Sequence, residues 1–278
     1  MTTNIPSSTI SSSVLPKDKP RLLMWDIETS HNIVATFDLF NRAPINYKGI
    51  LQERYIICAS WKWLGEDKVH AVSVLDDAKR FSKNPNDDYH VIKTLHDLLS
   101  QADGVCAHYG NNFDIKFFNT RALFHGMAPI HDVIQIDTYR IAKQKFRFNS
   151  NRLDYIGTFL GLGCKKDICH ADWLSALKGD KDAIKRMVAY NKQDVRLLEG
   201  IYTRLSPFVP AKVNCRLFSS TGDEKCTRCG SLKFEYRGWS YTANRRYRRM
   251  QCKSCGGWFR LDKSEPIENA RHDRQSKK

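Results

Sequence analysis

The segment MWDIETS, Met24 to Ser30, places two carboxylates, Asp26 and Glu28, with a single residue between them. On a strand that spacing points both side chains to one face. Acids in an apolar interior need protons, cations or a metal to offset the cost of burial, whereas a strand end could leave both to water or arginine. A third acid, Asp114, stands in AHYGNNFDIKFF after a glycine-containing turn and at the start of a helical pattern, where a carboxylate can also serve as a cap. A fourth, Asp194, follows Tyr190 by four residues in AYNKQDV, which sets phenol and carboxylate side by side on one helical face. That face adjoins the apolar stripe of Ile184, Met187, Val188, Leu198 and Ile201; a partly buried tyrosine beside a solvated aspartate would show the same spacing. Far downstream, Cys226-Thr-Arg-Cys229 and Cys252-Lys-Ser-Cys255 form two CxxC pairs with 22 residues between them. Four thiolates in two close pairs suit tetrahedral zinc in a closed, structural site. In a reducing compartment such pairing argues for metal over disulfide.

The elements that must position these residues follow from periodicity. RLLMWDIE is a short apolar run that predicts a buried strand, and YIICASWKWL and KVHAVSVL predict two more, joined by a tight turn at GED. Helical spacing marks YHVIKTLHDLLSQ. After it come a strand at GVCAHYG, a helix at DIKFFNTRALFHGM, a strand at DVIQIDT and a helix at NRLDYIGTFLGLG that glycine stops. The last helix runs from near Asp180 through KDAIKRMVAYNKQDVRLLEGIYTRL. Three early strands followed by alternating helix and strand imply an α/β domain with a mixed sheet flanked by helices. Between the cysteine pairs, FEYRGWSYTANRRYRRMQ predicts a β-hairpin. Some of its aromatics are expected to pack over the metal site, and Arg245, Arg246, Arg248 and Arg249 to make phosphate contacts.

Composition divides the chain further. Residues 1–19 are Ser/Thr-rich with few aliphatics and are expected to form a disordered tail. The expected boundaries are 20–205 for the main domain, 206–222 for a linker, 223–262 for a zinc ribbon and 263–278 for a basic tail. The 278 residues carry 45 Lys+Arg against 30 Asp+Glu, a formal charge of +15. Residues 213–278 hold 16 basic and 7 acidic side chains, so 16 − 7 = +9 of that charge lies at the C-terminal end. Such a field attracts polyanions, nucleic acid first and an acidic membrane surface second. No apolar stretch is long enough for a bilayer span, and the N-terminus lacks the order of a signal peptide; a cytoplasmic protein with no membrane partner is expected.

Asp-x-Glu on the first strand, His-x-Gly-x-x-Phe-Asp in the middle and Tyr-x-x-x-Asp on a late helix together resemble the DEDD (DnaQ-like) 3′-5′ exonuclease superfamily in its tyrosine subtype, a ribonuclease H-like fold. HYGNNFDIKFFNTR and DTYRIAKQKF are similar to the proofreading exonuclease domain of family B DNA polymerases, and the resemblance covers roughly residues 20–205. Tyr109 departs from it, since asparagine often stands between the histidine and the glycine. The resemblance implies two Mg²⁺ or Mn²⁺ ions that clamp the attacking and leaving oxygens of a phosphodiester. Asp26, Glu28 and Asp194 would hold one, Asp26 and Asp114 the other. Tyr190 would orient the attacking water, because a phenol is a poor base at neutral pH. Asp137, Asp154 and Asp172 receive no catalytic role, and His108 reads as a structural histidine. YRRMQCKSCGGWF is similar to the zinc ribbons of transposases and transcription-related proteins, with one structural Zn²⁺.

The function the resemblance implies is hydrolysis of single-stranded DNA from its 3′ end, with a ribbon that adds salt-sensitive affinity and a DNA polymerase or replication complex as a further partner. Three alternatives share part of the pattern. An exoribonuclease would use the same acids. A non-catalytic nucleic-acid adaptor would tolerate the loss of one of them. A transposase would lack the Tyr-x-x-x-Asp pair.

Overall fold

The computed structural model describes residues 19–36, 44–163, 169–218 and 223–266. The expected N-terminal tail up to residue 18, residues 219–222 of the expected linker and residues 267–278 of the expected C-terminal tail lie outside them. The chain divides into two compact units, one of Arg21–Val213 and one that contains the described residues from Asn214 onward.

The larger unit is built on a five-stranded sheet. Strand β1 (Leu22–Thr29) occupies its centre. It is followed by β2 (Ile33–Val34) and β3 (Ile50–Gln52), which pair with each other, and then by β4 (Ile56–Trp63) and β5 (His70–Ser73). Helices α1 (Ala78–Lys83) and α2 (Tyr89–Leu99) lead to β6 (Gly104–Ala107). Helix α3 (Asp114–Phe124), β7 (Ile134–Asp137), α4 (Thr138–Lys145), α5 (Leu153–Phe159), α6 (His170–Leu177) and α7 (Lys181–Leu205) complete the unit. The sheet order is β5-β4-β1-β6-β7; β4 is antiparallel to β1 and β5, while β6 is parallel to β1 and β7. This is a ribonuclease H-like mixed sheet with helices against it, as the element order implied. Leu23, Trp25 and Ile27 of β1 pack with Ile57 of β4, with Val91, Ile92 and Leu95 of α2 and with Phe118 of α3.

Several short elements escape the sequence pattern. Helix α4 has only eight residues, of which Thr138 and Ala142 are buried, too little for a readable apolar stripe. Its start is fixed instead by the Asp137 carboxylate, which accepts from Arg140 N at 3.1 Å. Helix α6 has the same length and α1 only six residues. The GVCAHYG strand stops at Ala107 because Tyr109 turns into the left-handed region at φ 69°. Bulky side chains rarely adopt that conformation and asparagine adopts it more readily, which gives a backbone reason for the asparagine of the resembling sequences.

In the smaller unit, β8 (Phe234–Tyr241), β9 (Arg245–Cys252) and β10 (Trp258–Pro266) form an antiparallel sheet of order β10-β9-β8, one strand more than the expected hairpin. Its core is small: Cys226, Met250, Cys252 and Phe259, with Phe234, Cys255 and Leu261 against them. The expected linker contains structure of its own. Residues Cys215–Phe218 form a 3-10 turn, Cys215 N donates to Thr227 O at 2.8 Å and the Cys215 thiol to Arg228 O at 2.7 Å.

Candidate active site and cysteine cluster

Asp26 and Glu28 project from the same face of β1, half-buried. The antiparallel register sets Asp26 opposite Ser60 and Glu28 opposite Cys58, and directly opposed side chains share a face. Burial first, then the charges of Glu28 and Asp26, push the Cys58 thiol well up. Helix α7 crosses β1 and β4 on this side and delivers Asp194, which is buried. One carboxylate oxygen from each of Asp26, Glu28 and Asp194 lies within 4.8 Å of the other two.

Three carboxylates this close repel one another unless a cation or protons intervene. Two buried polar atoms accompany them, since Asn191 Oδ1 and Ser60 Oγ lack a hydrogen-bond partner among the described residues. An all-oxygen donor set with nearby unsatisfied polar groups is what a hard divalent cation and its retained waters require, and the residues fit such an ion.

Asp114 stands apart from that trio. It opens α3, is 2% exposed, and its Oδ1 accepts from Ile27 N at 3.3 Å, which pins it to the strand between the two β1 acids. Burial raises its carboxyl to about 7, and the nearby charge of Asp137 adds to the rise. The turn ahead of it is crowded. A Cβ on Gly110 would lie 2.4 Å from Ala107 Cβ, so glycine is required there, and Asp137 clasps the turn by accepting from Tyr109 N at 3.0 Å and Asn111 N at 3.4 Å. The other end of α3 is fixed by the fully buried Asp88, which accepts two bonds from the Arg121 guanidinium, one from Ile56 N and one from His125.

Tyr190 sits half-buried on α7, one turn before Asp194, with its ring edge-on to Trp173 at 6.4 Å. Beside Glu28 opens a cleft of roughly 440 Å³ lined by His31, Arg54, Phe113 and Trp173. Arg54 holds Thr29 Oγ1 at 2.8 Å and stands over the Phe117 ring. The remaining polar residues named from the sequence have local work. His108 contacts Thr138 Oγ1 and Asn151 O, Asp137 caps α4, and Asp172 binds Arg186. Asp154 is exposed in the first turn of α5.

Two positioning residues were invisible in the sequence. Asn191, fully buried, donates from Nδ2 to Asp26 Oδ2 at 2.6 Å and fixes that carboxylate. Lys62, 6% exposed, pairs with Glu199 Oε2 at 2.5 Å, while Gly65 N donates to Glu199 Oε1 at 2.9 Å. This pair locks α7 against β4, in the register that carries Asp194 to β1. Both partners of each pair are ordinary in their local sequence, and only their long-range juxtaposition gives them a role.

The four cysteines of the smaller unit converge. Cys226 Sγ and Cys255 Sγ are 3.7 Å apart, as are Cys229 Sγ and Cys252 Sγ. That separation is far beyond a disulfide bond and matches the edge of about 3.8 Å expected for a tetrahedron with metal–sulfur bonds of about 2.3 Å. A hydrogen bond from Cys229 holds the Cys226 thiol down at about 4, and donating that bond pushes Cys229 up. Burial raises Cys255 to about 11. Four sulfurs that converge at this spacing, with Cys226 readily ionised while Cys229 and Cys255 resist ionisation, are fitted to a cation.

The four arginines named from the sequence do not form one patch. Strand alternation sends Arg245 and Arg249 to one face of β9 and Arg246 and Arg248 to the other. Arg246 is 6% exposed, paired with Glu265 at 2.6 Å and set over the Trp239 ring at 4.1 Å. These contacts give Arg246, named from the sequence for a phosphate contact, a structural role in the sheet, whereas Arg245, Arg248 and Arg249 are exposed.

The fold and acid cluster define a class, and comparison with known proteins agrees. The RNase_H superfamily model (RNase_H_2) matches residues 65–206, just over half of the chain, and the chain belongs to that superfamily. The match takes in Asp114, Tyr190 and Asp194 and begins after β1, so Asp26 and Glu28 lie outside it. Among solved structures the chain is similar to the family B DNA polymerase from the hyperthermophilic archaeon Pyrobaculum calidifontis, with 15% identity and a TM-score of 0.49 over 81% of this chain and 31% of that one. The chain thus spans about a third of the polymerase. No curated protein matches the chain. Among the described residues no helix is long and apolar enough to cross a membrane.

Proposed function

We propose that this protein is a metal-dependent 3′-5′ exonuclease of the tyrosine subtype that acts on single-stranded DNA in the cytoplasm. Residues 20–205 form its catalytic domain, and a zinc ribbon over 223–262, to which 214–218 attach, assists nucleic-acid binding. The observation that carries this reading is the meeting of Asp26, Glu28 and Asp194 oxygens within 4.8 Å on the α7 side of an RNase H-like sheet, with Asp114 buried and bonded to the Ile27 amide between the two β1 acids.

In this reading Asp26, Glu28 and Asp194 would hold one Mg²⁺ or Mn²⁺, and Asp26 and Asp114 would serve a second. When bound, the two ions supply Lewis-acid stabilisation of the attacking and leaving oxygens. Tyr190 orients the attacking water through its hydroxyl. A phenol, with an ordinary pKa near 10, is a poor proton acceptor at neutral pH, so orientation and not base catalysis is its part. The ring edge of Trp173 keeps the phenol in place. The cysteine tetrad holds one structural Zn²⁺. A DNA polymerase or replication complex is the partner proposed for such an activity.

The test is end-resolved. With 5′-labelled single-stranded DNA and RNA in Mg²⁺, Mn²⁺ or EDTA, a ladder that shortens from the 3′ end of DNA and vanishes in EDTA is expected. Internal cleavage without a ladder would replace the exonuclease reading with an endonuclease, and preferential decay of RNA would make it an exoribonuclease.

Asn191→Leu removes the amide that holds Asp26 while keeping the side-chain volume. Outer partners of metal ligands are worth about 10–100-fold, so turnover should fall by that factor. The divalent-metal concentration for half-maximal rate should rise, with the melting temperature little changed. Wild-type rates at limiting Mn²⁺ would reduce Asn191 to a space-filling residue.

A further inference from the structure

We propose that the solvent face of the C-terminal sheet is a stacking platform for the unpaired bases of single-stranded nucleic acid, built from Trp258 and Tyr247 together with Arg249 and Arg260. It rests on the reading of the ribbon as a nucleic-acid-binding unit and is independent of the nuclease chemistry.

Register separates the two faces of this sheet. Met250 opposes Phe259 and Cys252 opposes Phe234, and these residues form the core around the cysteines. Tyr247 and Arg249 alternate with them on β9, as Trp258 and Arg260 do on β10, and Arg249 lies directly opposite Arg260. These four side chains therefore project away from the core. Trp258 is 45% exposed, with no place in the core cluster.

The face is ordered rather than merely basic. The Arg249 guanidinium lies 5.3 Å from the Trp258 ring centroid, and that of Arg260 lies 4.3 Å from Tyr247. Arg249 is further fixed by two bonds from Nε and Nη2 to Arg237 O, at 3.0 and 2.9 Å. Arg245 is held through Ser264. Rings and guanidinium planes arranged in this way give flat, cationic surfaces, and both kinds of plane accept a stacked base.

Charge selects the occupant. Residues 223–266 carry 11 basic and 5 acidic side chains, 11 − 5 = +6. Acids of this segment are drawn into ion pairs, Glu235 with Arg237 and Lys253, Glu265 with Arg246, and Glu224 and Asp262 with Arg216. The partner must be a polyanion that also offers flat apolar faces. Unpaired nucleotides supply both, whereas in a duplex the base faces are stacked on one another. An acidic peptide would supply charge alone.

The experiment uses the zinc-loaded full chain without Mg²⁺ or Mn²⁺, so that no strand is cut, and reads fluorescence anisotropy on three labelled probes: oligothymidylate, an abasic strand of equal length, and the corresponding duplex. Wild-type protein is expected to bind oligothymidylate about tenfold or more tighter than the abasic strand. In Trp258→Leu/Tyr247→Leu that ratio should collapse towards one, with affinity for the abasic strand within about twofold of wild type, because stacking is lost and phosphate contacts remain. Zinc stoichiometry confirms that the variant is folded. If it is not, Trp258→Leu alone, read on the same two strands, is expected to lower the ratio and decides the question. Equal wild-type affinity for the base-bearing and abasic strands, tighter binding of the duplex, or a variant that weakens both strands equally would overturn the platform. Binding of none of the probes would overturn the ribbon's nucleic-acid role as well, while the nuclease is judged separately by the 3′-end ladder in Mg²⁺ or Mn²⁺.

Discussion

Replacing Asp114 with asparagine is expected to make the metal-free protein more stable and, in the same step, nearly inactive. The side chain is 2% exposed and its carboxyl is raised to about 7 by burial and by the charge of Asp137. A carboxyl whose folded pKa exceeds its unfolded one contributes fully to stability below the unfolded value, near 3.9, and loses that contribution as pH rises through the folded value. Metal-free protein should therefore lose stability between about pH 4 and pH 7, by an amount on the order of 2–4 kcal/mol from this group. The Asp114→Asn side chain has no proton to lose and still offers an oxygen to Ile27 N. In EDTA at pH 8 the variant should melt about 5 °C or more above wild type, with the gap closing towards pH 4. Saturating Mg²⁺ should reverse the order, since a ligand that binds only the native state stabilises it by mass action and the variant has lost an ionised donor. Exonuclease turnover should drop by about a thousandfold or more, the scale on which groups that stabilise transition-state charge act. A variant within tenfold of wild-type rate would remove Asp114 from the metal site, and an unchanged melting temperature in EDTA would show that its burial is costless.

Removal of metal from the cysteine tetrad should unfold the C-terminal unit while leaving the sheet of residues 21–213 intact. Among the described residues, the buried members of the unit's core cluster are Cys226, Met250, Cys252 and Phe259, and two of those four belong to the tetrad. A core of that size cannot hold a three-stranded sheet against its conformational entropy, whereas structural zinc contributes about 10–16 kcal/mol in small metal-folded units. Purified protein is expected to contain one zinc per chain. Cys229→Ser, or a strong zinc chelator, should abolish hydrogen-exchange protection of β8, β9 and β10 and expose the Arg245–Arg249 run to trypsin. Protection of β1, β4 and α2 should persist, because their packing involves none of these cysteines. Retained protection in β9 after demonstrated metal loss would show that the sheet stands without the ion.

Much of the acid site was legible because its parts are local patterns. Two-residue spacing on an apolar run puts Asp26 and Glu28 on one face whatever the tertiary structure, and four-residue spacing on a long capped helix does the same for Tyr190 and Asp194. The cysteine pairs were legible for a similar reason, as each knuckle needs only a tight turn. The arginines of β9 illustrate the limit. Four basic residues in five positions look like a patch, but the period of two divides them between faces, and Arg246 is covered because Glu265 and Trp239 come to it from other strands. Helix α4 has no such pattern, since its start depends on a single cap and its packing on two side chains.

The sequence by itself determined which residues could bind metal, the order of strands and helices that carry them, and the division into an acidic and a cysteine-bearing part, because these follow from residue type and short-range periodicity. Only the tertiary structure decided that Asp114 rests on the Ile27 amide, that Asn191 grips Asp26 across 165 residues of chain, and that Lys62 and Glu199 set the register of α7. Those contacts join segments whose separation in sequence carries no periodic signal, and they exist because the sheet order β5-β4-β1-β6-β7 brings the segments together.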